Sequence, residues 1–180
     1  MAASDIILGD GVFTIGATTT ATAIALTRGG GTFTVEREYR QIEADGDYGP
    51  VKDRIRLVRS VAKLNIKSLE WLADKSQDYW PSITATVTAT LTAGVTATIT
   101  GRGLTTNITT QDYNVVTWTG YTRARTSVFI QIDNAINLEN INFSMVDKEE
   151  MLNDLTFTGA YAAATRNTEP WKVIFSSTST

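Results

Sequence analysis

The sequence contains neither cysteine nor histidine among its 180 residues. Without cysteine the chain can form no disulfide and no thiolate metal site. Without histidine it lacks the side chain that most often acts as a general base or as a metal ligand. These absences remove the usual means of activating a nucleophile or a metal-bound water. The sequence therefore predicts a protein that is not an enzyme and that has no catalytic residues, no cofactor and no metal site.

Long apolar runs and an excess of basic residues are missing as well. No stretch approaches the roughly 18 apolar residues that a transmembrane helix requires, so we expect no membrane segment. The first residues carry no basic segment of the kind that opens a signal peptide, and we expect none. The formal net charge is −3 at pH 7, which provides no basic surface for tight binding of DNA or RNA.

Threonine is the most conspicuous residue that is present, at 30 of 180 positions. Its β-branched side chain favours strands over helices. Only three prolines interrupt the chain, and 42% of the residues are hydrophobic. Together with the length, this composition predicts a mainly β fold in a single domain spanning residues 1–180.

A long hairpin is predicted over residues 33–66, with its tip loop at 43–53. Residues 33–42 alternate in side-chain character, and so do residues 52–68. The segment between them is rich in Gly, Asp and Pro, which are typical of loops. Charged residues fall on both faces of 33–42, which is unusual for a strand that packs on a core. This pattern favours a strand that projects from the body.

The other segments divide the chain as follows. Residues 69–80 have helical spacing, with Ser68 as a candidate cap and Pro81 as the end of the helix. Residues 82–101 alternate between threonine and small apolar residues, which predicts two strands with a break near Gly94. The remaining predictions are an N-terminal arm and first strands over 1–22 with a turn at 9–11, strands at 112–118, 127–132, 136–144, 152–160 and 171–175 within the region 82–175, and a polar tail over 176–180.

Three local features admit a functional interpretation, and a structural one is favoured in each case. The glycines at 29–31 lack the Gly-Lys-Ser/Thr ending of a phosphate-binding loop, so they predict a turn before a strand. The acidic residues at 43–47 do not match the spacing of an EF-hand, so a solvated or partner-facing loop is favoured over a calcium site. The acidic run at 147–150 lies within one turn, where carboxylates rarely face each other as a glycosidase requires.

Several segments, in order along the chain, resemble bacteriophage tail tube proteins, which are also called major tail proteins. The first is Leu26–Lys52, with the sequence LTRGGGTFTVEREYRQIEADGDYGPVK. In the second half of the chain they are Asn134–Phe143, Asp147–Glu150, Thr156–Gly159 and Glu169–Ile174. Residues 82–107 match no part of the family's signature.

This resemblance implies a β-sandwich or half-barrel with one packed α-helix, a long projecting hairpin and extended terminal arms. Subunits of the family form hexameric rings whose sheets join into one continuous barrel, and the rings stack into a hollow tube. The implied partners are copies of the chain, other tail proteins such as the tape measure and the tail terminator, and double-stranded DNA that passes through the lumen without specific binding. The implied location is the virion tail, after assembly in the host cytoplasm. The same fold serves contractile and flexible tails, bacteriocins and secretion tubes.

Two sets of residues are predicted to carry this assembly function. The tip loop is expected to contact the neighbouring ring, through Glu43, Ala44, Asp45, Gly46, Asp47, Tyr48, Gly49 and Pro50. The hairpin is expected to line the lumen, through Glu36, Glu38, Arg40, Arg54 and Arg56. A secreted or surface immunoglobulin-like adhesion module is the alternative that the alternating strands permit. An enzyme such as a glycan hydrolase ranks third, because it needs paired carboxylates at a set separation.

Overall fold

The computed structural model describes residues 7–16, 21–24, 27–69, 75–90, 94–103, 107–142, 147 and 149–176. Strands dominate this part of the chain, and the prediction of a mainly β fold is confirmed. The elements in chain order are β1 (Ile7–Ile15), β2 (Thr22–Ile24), β3 (Thr27–Gln41), β4 (Ile55–Ser68), α1 (Ser76–Tyr79), β5 (Ile83–Thr90), β6 (Gly94–Gly101), β7 (Asn114–Thr122), β8 (Ser127–Ile136), β9 (Asn153–Gly159) and β10 (Trp171–Ser176).

Eight of these strands form one antiparallel sheet, in the order β2-β1-β7-β8-β9-β4-β3, with β10 also paired to β8. One edge of β8 is shared between two partners. β10 pairs with its first part, from Ser127 to Ile132, and β9 pairs with Ala135 and Ile136 at its end. The remaining strands, β5 and β6, form a separate two-stranded sheet.

The core lies on one face of the large sheet, where alternate residues of neighbouring strands point inward. Leu64 and Ile66 of β4 are buried directly opposite Phe157 and Leu155 of β9. The other members of this core cluster are Phe13, Ile15, Ile24, Ala62, Tyr79, Trp80, Ile83, Val116, Trp118, Val128, Ile132 and Ala135.

The two ends of the sheet approach each other, which shows that the sheet is curled. A Cβ atom added to Gly31 of β3 would lie 2.6 Å from Cζ of Phe13 on β1. A cleft of about 600 Å³ lies between these strands and is lined by Gly9, Phe33 and Trp118 among others. The sheet therefore wraps around the core in the manner of a half-barrel.

Two predicted breaks near glycines are wrong. β1 runs through the turn expected at residues 9–11, with a register irregularity between Ile7 and Gly11. β3 already begins at Thr27, and the glycines form a bulge within it, since Thr27 pairs with Ser68 and Gly31 with Ile66. The φ angles of Gly29 and Gly30, +82° and +72°, are positive, as glycine alone adopts readily. In both places glycine marks a distortion of a strand, and not its end.

The strand predicted at 136–144 is wrong over the residues that the structure describes. β8 ends at Ile136, and residues 137–142 form no strand. The side chain of Asn137 accepts a hydrogen bond of 3.0 Å from the backbone N–H of Glu139, which turns the chain locally. Residues 143–146 lie outside the described residues.

The helix predicted at 69–80 is described only at its end. α1 spans Ser76–Tyr79, Trp80 donates its backbone N–H to the carbonyl of Ser76, and Pro81 follows. Residues 70–74 lie outside the described part, as do residues 1–6 of the predicted arm and 177–180 of the polar tail. No helix of the described part is long and apolar enough to cross a bilayer. The two strands predicted on either side of Gly94 are confirmed as β5 and β6.

Candidate assembly interface

The β3–β4 hairpin extends beyond β9, its neighbour in the sheet. β3 and β4 are paired from Thr27 and Ser68 to Gln41 and Ile55, whereas β9 covers β4 only from Lys63 to Ser68. Within the described residues, β4 from Ile55 to Ala62 therefore has β3 as its one strand neighbour. We call residues 37–59 the distal hairpin.

The base of the distal hairpin is held by a cluster around Trp171. The guanidinium of Arg37 lies 3.3 Å from Glu169 and 6.0 Å from the centre of the Trp171 ring. A side-chain hydrogen bond with Tyr39 and the charge of Glu169 raise the pKa of Arg37. Partial burial raises the pKa of Glu169, but the hydroxyl of Ser60, the indole N–H of Trp171 and the charged guanidinium of Arg37 outweigh it, so its pKa is lowered. The cluster fixes where the hairpin leaves the body.

Four of the five predicted lumen residues share the outer face of the hairpin, away from the core. Lys63 reaches Glu36 at 2.7 Å, and Glu38 pairs across the strands with Arg59. Arg40 and Arg56 lie directly opposite each other. Like charges in that position repel, and neither arginine makes an ion pair within the described part of the chain.

The fifth predicted lumen residue, Arg54, lies apart from this face and helps to order the tip loop. The loop is closed by the backbone N–H of Ile42, which donates to the carbonyl of Arg54 at 2.9 Å. One oxygen of Asp47 accepts hydrogen bonds from the backbone N–H of Ala44 at 2.8 Å and from Arg54 at 2.6 Å. Gly46 supplies a φ of +96°. The loop therefore holds its shape through its own residues.

The predicted contact residues of the loop form one exposed surface. Asp47 is half-buried, and the others are exposed: Glu43, Ala44, Asp45, Gly46, Tyr48, Gly49 and Pro50. The carboxylate of Asp47 is neutralised by Arg54, and within the described residues no cluster of three acidic side chains lies close enough to hold a metal ion.

An exposed apolar patch on the inner face of the distal hairpin was not predicted. Tyr39 is 57% exposed, Leu57 opposite it 42%, and Ile55 57%. A bulge places one extra residue, Val58, between the pairs Glu38–Arg59 and Tyr39–Leu57. The bulge puts Leu57 on the face of Tyr39, which strict alternation along β4 does not predict. Apolar residues near the tip were the signal in the sequence, but their shared face depends on the bulge.

The comparisons with known proteins are sparse. No family model matches the chain, and no curated protein matches it. One solved structure with a similar chain is titled "Virion of native gene transfer agent (GTA) particle". The similarity covers 92% of this chain and 95% of that chain, at 11% sequence identity and a TM-score of 0.47. These values are too low to assign a function to this chain.

Proposed function

We propose that this chain is a structural, non-catalytic subunit of a virion. Copies assemble into hexameric rings, and the rings stack as the hollow tail tube of a phage, through which double-stranded DNA passes. The observation that carries this proposal is the distal hairpin, which extends beyond β9 with an apolar patch on one face and, on the other, two arginines that have no ion pair within the described residues. The resemblance of residues 26–52 to tail tube proteins supports the same conclusion.

The apolar patch argues for a partner that covers the hairpin. A two-stranded hairpin is marginally stable alone in water, and this one also exposes Tyr39, Ile55 and Leu57 side by side. Burying apolar surface contributes about 25 cal/mol per Å², so a partner that covers these side chains is strongly favoured. Contiguous exposed apolar residues mark interaction sites in proteins that are otherwise well packed.

The charged face argues for pairing between copies. It holds two carboxylates, those of Glu36 and Glu38, and four cations, those of Arg40, Arg56, Arg59 and Lys63. Free cations in a lumen would bind phosphate and retain DNA. A neighbouring tip loop, with its exposed Glu43 and Asp45, offers carboxylates that would neutralise them. This pairing allows the same hairpin to contact the next ring and to leave a passage for DNA.

Deleting residues 44–48 tests the role of the tip loop. The shortened chain is expected to fold and to form no tubes in negative-stain images. Gly9→Ala is the control, because Gly9 lies in β1, outside the hairpin, and a Cβ atom there meets nothing within 4 Å. This variant should assemble as the parent does. Tubes of normal length from the deletion variant would overturn the proposed ring contact.

Cysteine labelling tests whether the charged face lines the lumen. The chain has no cysteine, so a thiol introduced by Glu36→Cys or Glu38→Cys is unique. In tubes, a small maleimide should still react, whereas a reagent too bulky to enter the lumen should react slowly. Equal rates for both reagents in tubes would place this face on the outside.

A further inference from the structure

The two-stranded sheet of β5 and β6, which we call the ribbon, has no other strand beside it. Its register is regular from the pair Ile83–Gly101 to the pair Thr90–Gly94, with no bulge. Within the described residues, neither of its outer edges is paired. The ribbon therefore presents two open strand edges.

The base of the ribbon is fixed to the body of the protein. Ile83 is buried in the core beside Trp80. The backbone N–H of Arg102 donates to the carbonyl of Ser82 at 2.8 Å, and its guanidinium donates to the carbonyl of Pro81 at 2.7 Å and to Asp112. These bonds set the direction in which the ribbon leaves the sheet.

Beyond this base the ribbon is uncovered on both faces. Val87 is 44% exposed and Ile99 37% exposed on the apolar face. The threonines that are described on the opposite face are exposed as well: Thr84, Thr86, Thr96, Thr98 and Thr100. A two-stranded sheet without a covering layer is marginally stable in water, so the ribbon needs a neighbour.

The hydrogen-bond pattern shows which backbone groups point outward. The bond between Arg102 and Ser82 makes these two residues a hydrogen-bonded pair, and such pairs alternate along an antiparallel ladder. In every second residue pair, the backbone N–H and C=O groups therefore bond across the ribbon. In the pairs between them, the backbone N–H and C=O groups point outward from the two edges. The described outward residues are Ala85 and Val87 on β5 and Ala97 and Ile99 on β6.

The ribbon also lacks the devices that keep strand edges apart. Such devices are charged side chains, prolines and bulges. No charged residue and no proline occurs between Pro81 and Arg102. The β3–β4 hairpin of the same chain shows the contrast, since it has bulges at Gly29 and at Val58 and charges along both strands. The strands of the hairpin are therefore protected from edge pairing in a way that those of the ribbon are not.

We propose that the ribbons of neighbouring copies join edge to edge, β5 of one copy with β6 of the next, into a continuous antiparallel sheet. This inference rests on the proposed self-assembly and names one of its contact surfaces. The two edges differ, so the contact is head-to-tail, and rotational symmetry closes it into a ring. On both edges, every second residue points its backbone N–H and C=O groups outward. Each edge therefore offers the hydrogen-bond donors and acceptors that the other requires. An uncharged segment brings no repulsion between copies.

Two proline variants test this pairing. Val87→Pro removes an outward N–H from the β5 edge, and Ala97→Pro removes one from the β6 edge, while neither removes a bond within the ribbon. In sedimentation each variant alone should fail to form rings. An equal mixture should form dimers and nothing larger, because one intact β5 edge can join one intact β6 edge. Thr86→Val is the control, because the N–H of Thr86 is used within the ribbon, and this variant should assemble as the parent does.

Amide hydrogen exchange separates failure of this inference from failure of the proposed function. In the assembled parent, the amides of Ala85, Ala97 and Ile99 should exchange slowly, and in the Val87→Pro variant, whose ribbons stay unpaired, they should exchange fast. The ribbon contact would be overturned if these amides still exchanged fast in assembled parent chains and if the proline variants formed rings. That result would leave the proposed function intact. Parent chains that remain monomeric would overturn both.

Discussion

At the scale of single residues, Asp47 determines the shape of the tip loop. Its carboxylate binds one backbone N–H and one guanidinium at opposite ends of the loop. Asp47→Ala should therefore loosen the loop and prevent tube formation. Because Arg54 is 42% exposed, the ion pair is screened, and the loss in free energy of unfolding should be about 0.5–1 kcal/mol.

Urea unfolding and negative-stain imaging check this prediction together. Glu139→Ala is the matched control, because Glu139 is exposed, lies outside the hairpin and the ribbon, and its replacement removes the same charge. If Asp47→Ala assembled as well as Glu139→Ala, the internal order of the loop would have no part in assembly.

Gly120 shows how closely the core packs against the backbone. A Cβ atom at this position would overlap the indole ring of Trp118, a buried core residue. Gly120→Ala should lower the free energy of unfolding by about 1–3 kcal/mol, since the ring has to move within a filled core. Gly9→Ala in β1 is the control, because its Cβ meets nothing within 4 Å. Equal midpoints of thermal unfolding for the two variants would contradict the overlap.

At the scale of elements, alternation and turn residues predict most of the strands. The two ribbon strands follow from the threonine alternation and Gly94, and β9 and β10 follow from their apolar alternation. The bulges do not follow, because glycine marks turns and bulges alike and only the pairing partner distinguishes them.

The candidate interface was only partly predictable for the same reason. Alternation along β3 places Glu36, Glu38 and Arg40 on one face, and the pairing with β4 adds Arg56. The apolar patch depends on the extra residue Val58, which changes the face of every residue beyond it. The role of Arg54 depends on the path of the loop, which no periodic pattern describes.

The base of the ribbon should respond to acid through Asp112. Partial burial raises the pKa of Asp112, but hydrogen bonds from the backbone N–H of Thr109 and from Arg102 outweigh it, so its pKa is lowered. A carboxyl group whose pKa is lower in the folded state contributes stability above its unfolded pKa of about 4. That contribution is lost as the pH falls through the folded value.

Amide exchange at Arg102 measures this loss. Between pH 7 and about pH 3, opening at this amide should become easier in the parent, after correction for the intrinsic exchange rate. Asp112→Asn should show the easier opening already at neutral pH and little further change. A parallel pH dependence in both chains would exclude Asp112 as the titrating group.

At the scale of the whole molecule, the hairpin and the base of the ribbon lie at opposite ends of the sheet. Successive antiparallel neighbours from β4 through β9 and β8 place the start of β7 away from the hairpin tip. The base of the ribbon is bound to residues just before β7, at Asp112. A subunit with different projections at its two ends suits an assembly that grows in one direction.

The absence of charge from the ribbon separates the two proposed contacts by their response to ionic strength. At about 1 M salt the Debye length is roughly 3 Å, which screens the arginines and carboxylates of the hairpin. The ribbon has no charges to screen, and its backbone bonds and apolar side chains keep their strength. Raising the salt concentration should therefore divide tubes into intact rings before it divides rings into monomers, and light scattering should record two separate steps. A tube built in this way could separate into rings along its axis while the contacts within each ring stay intact.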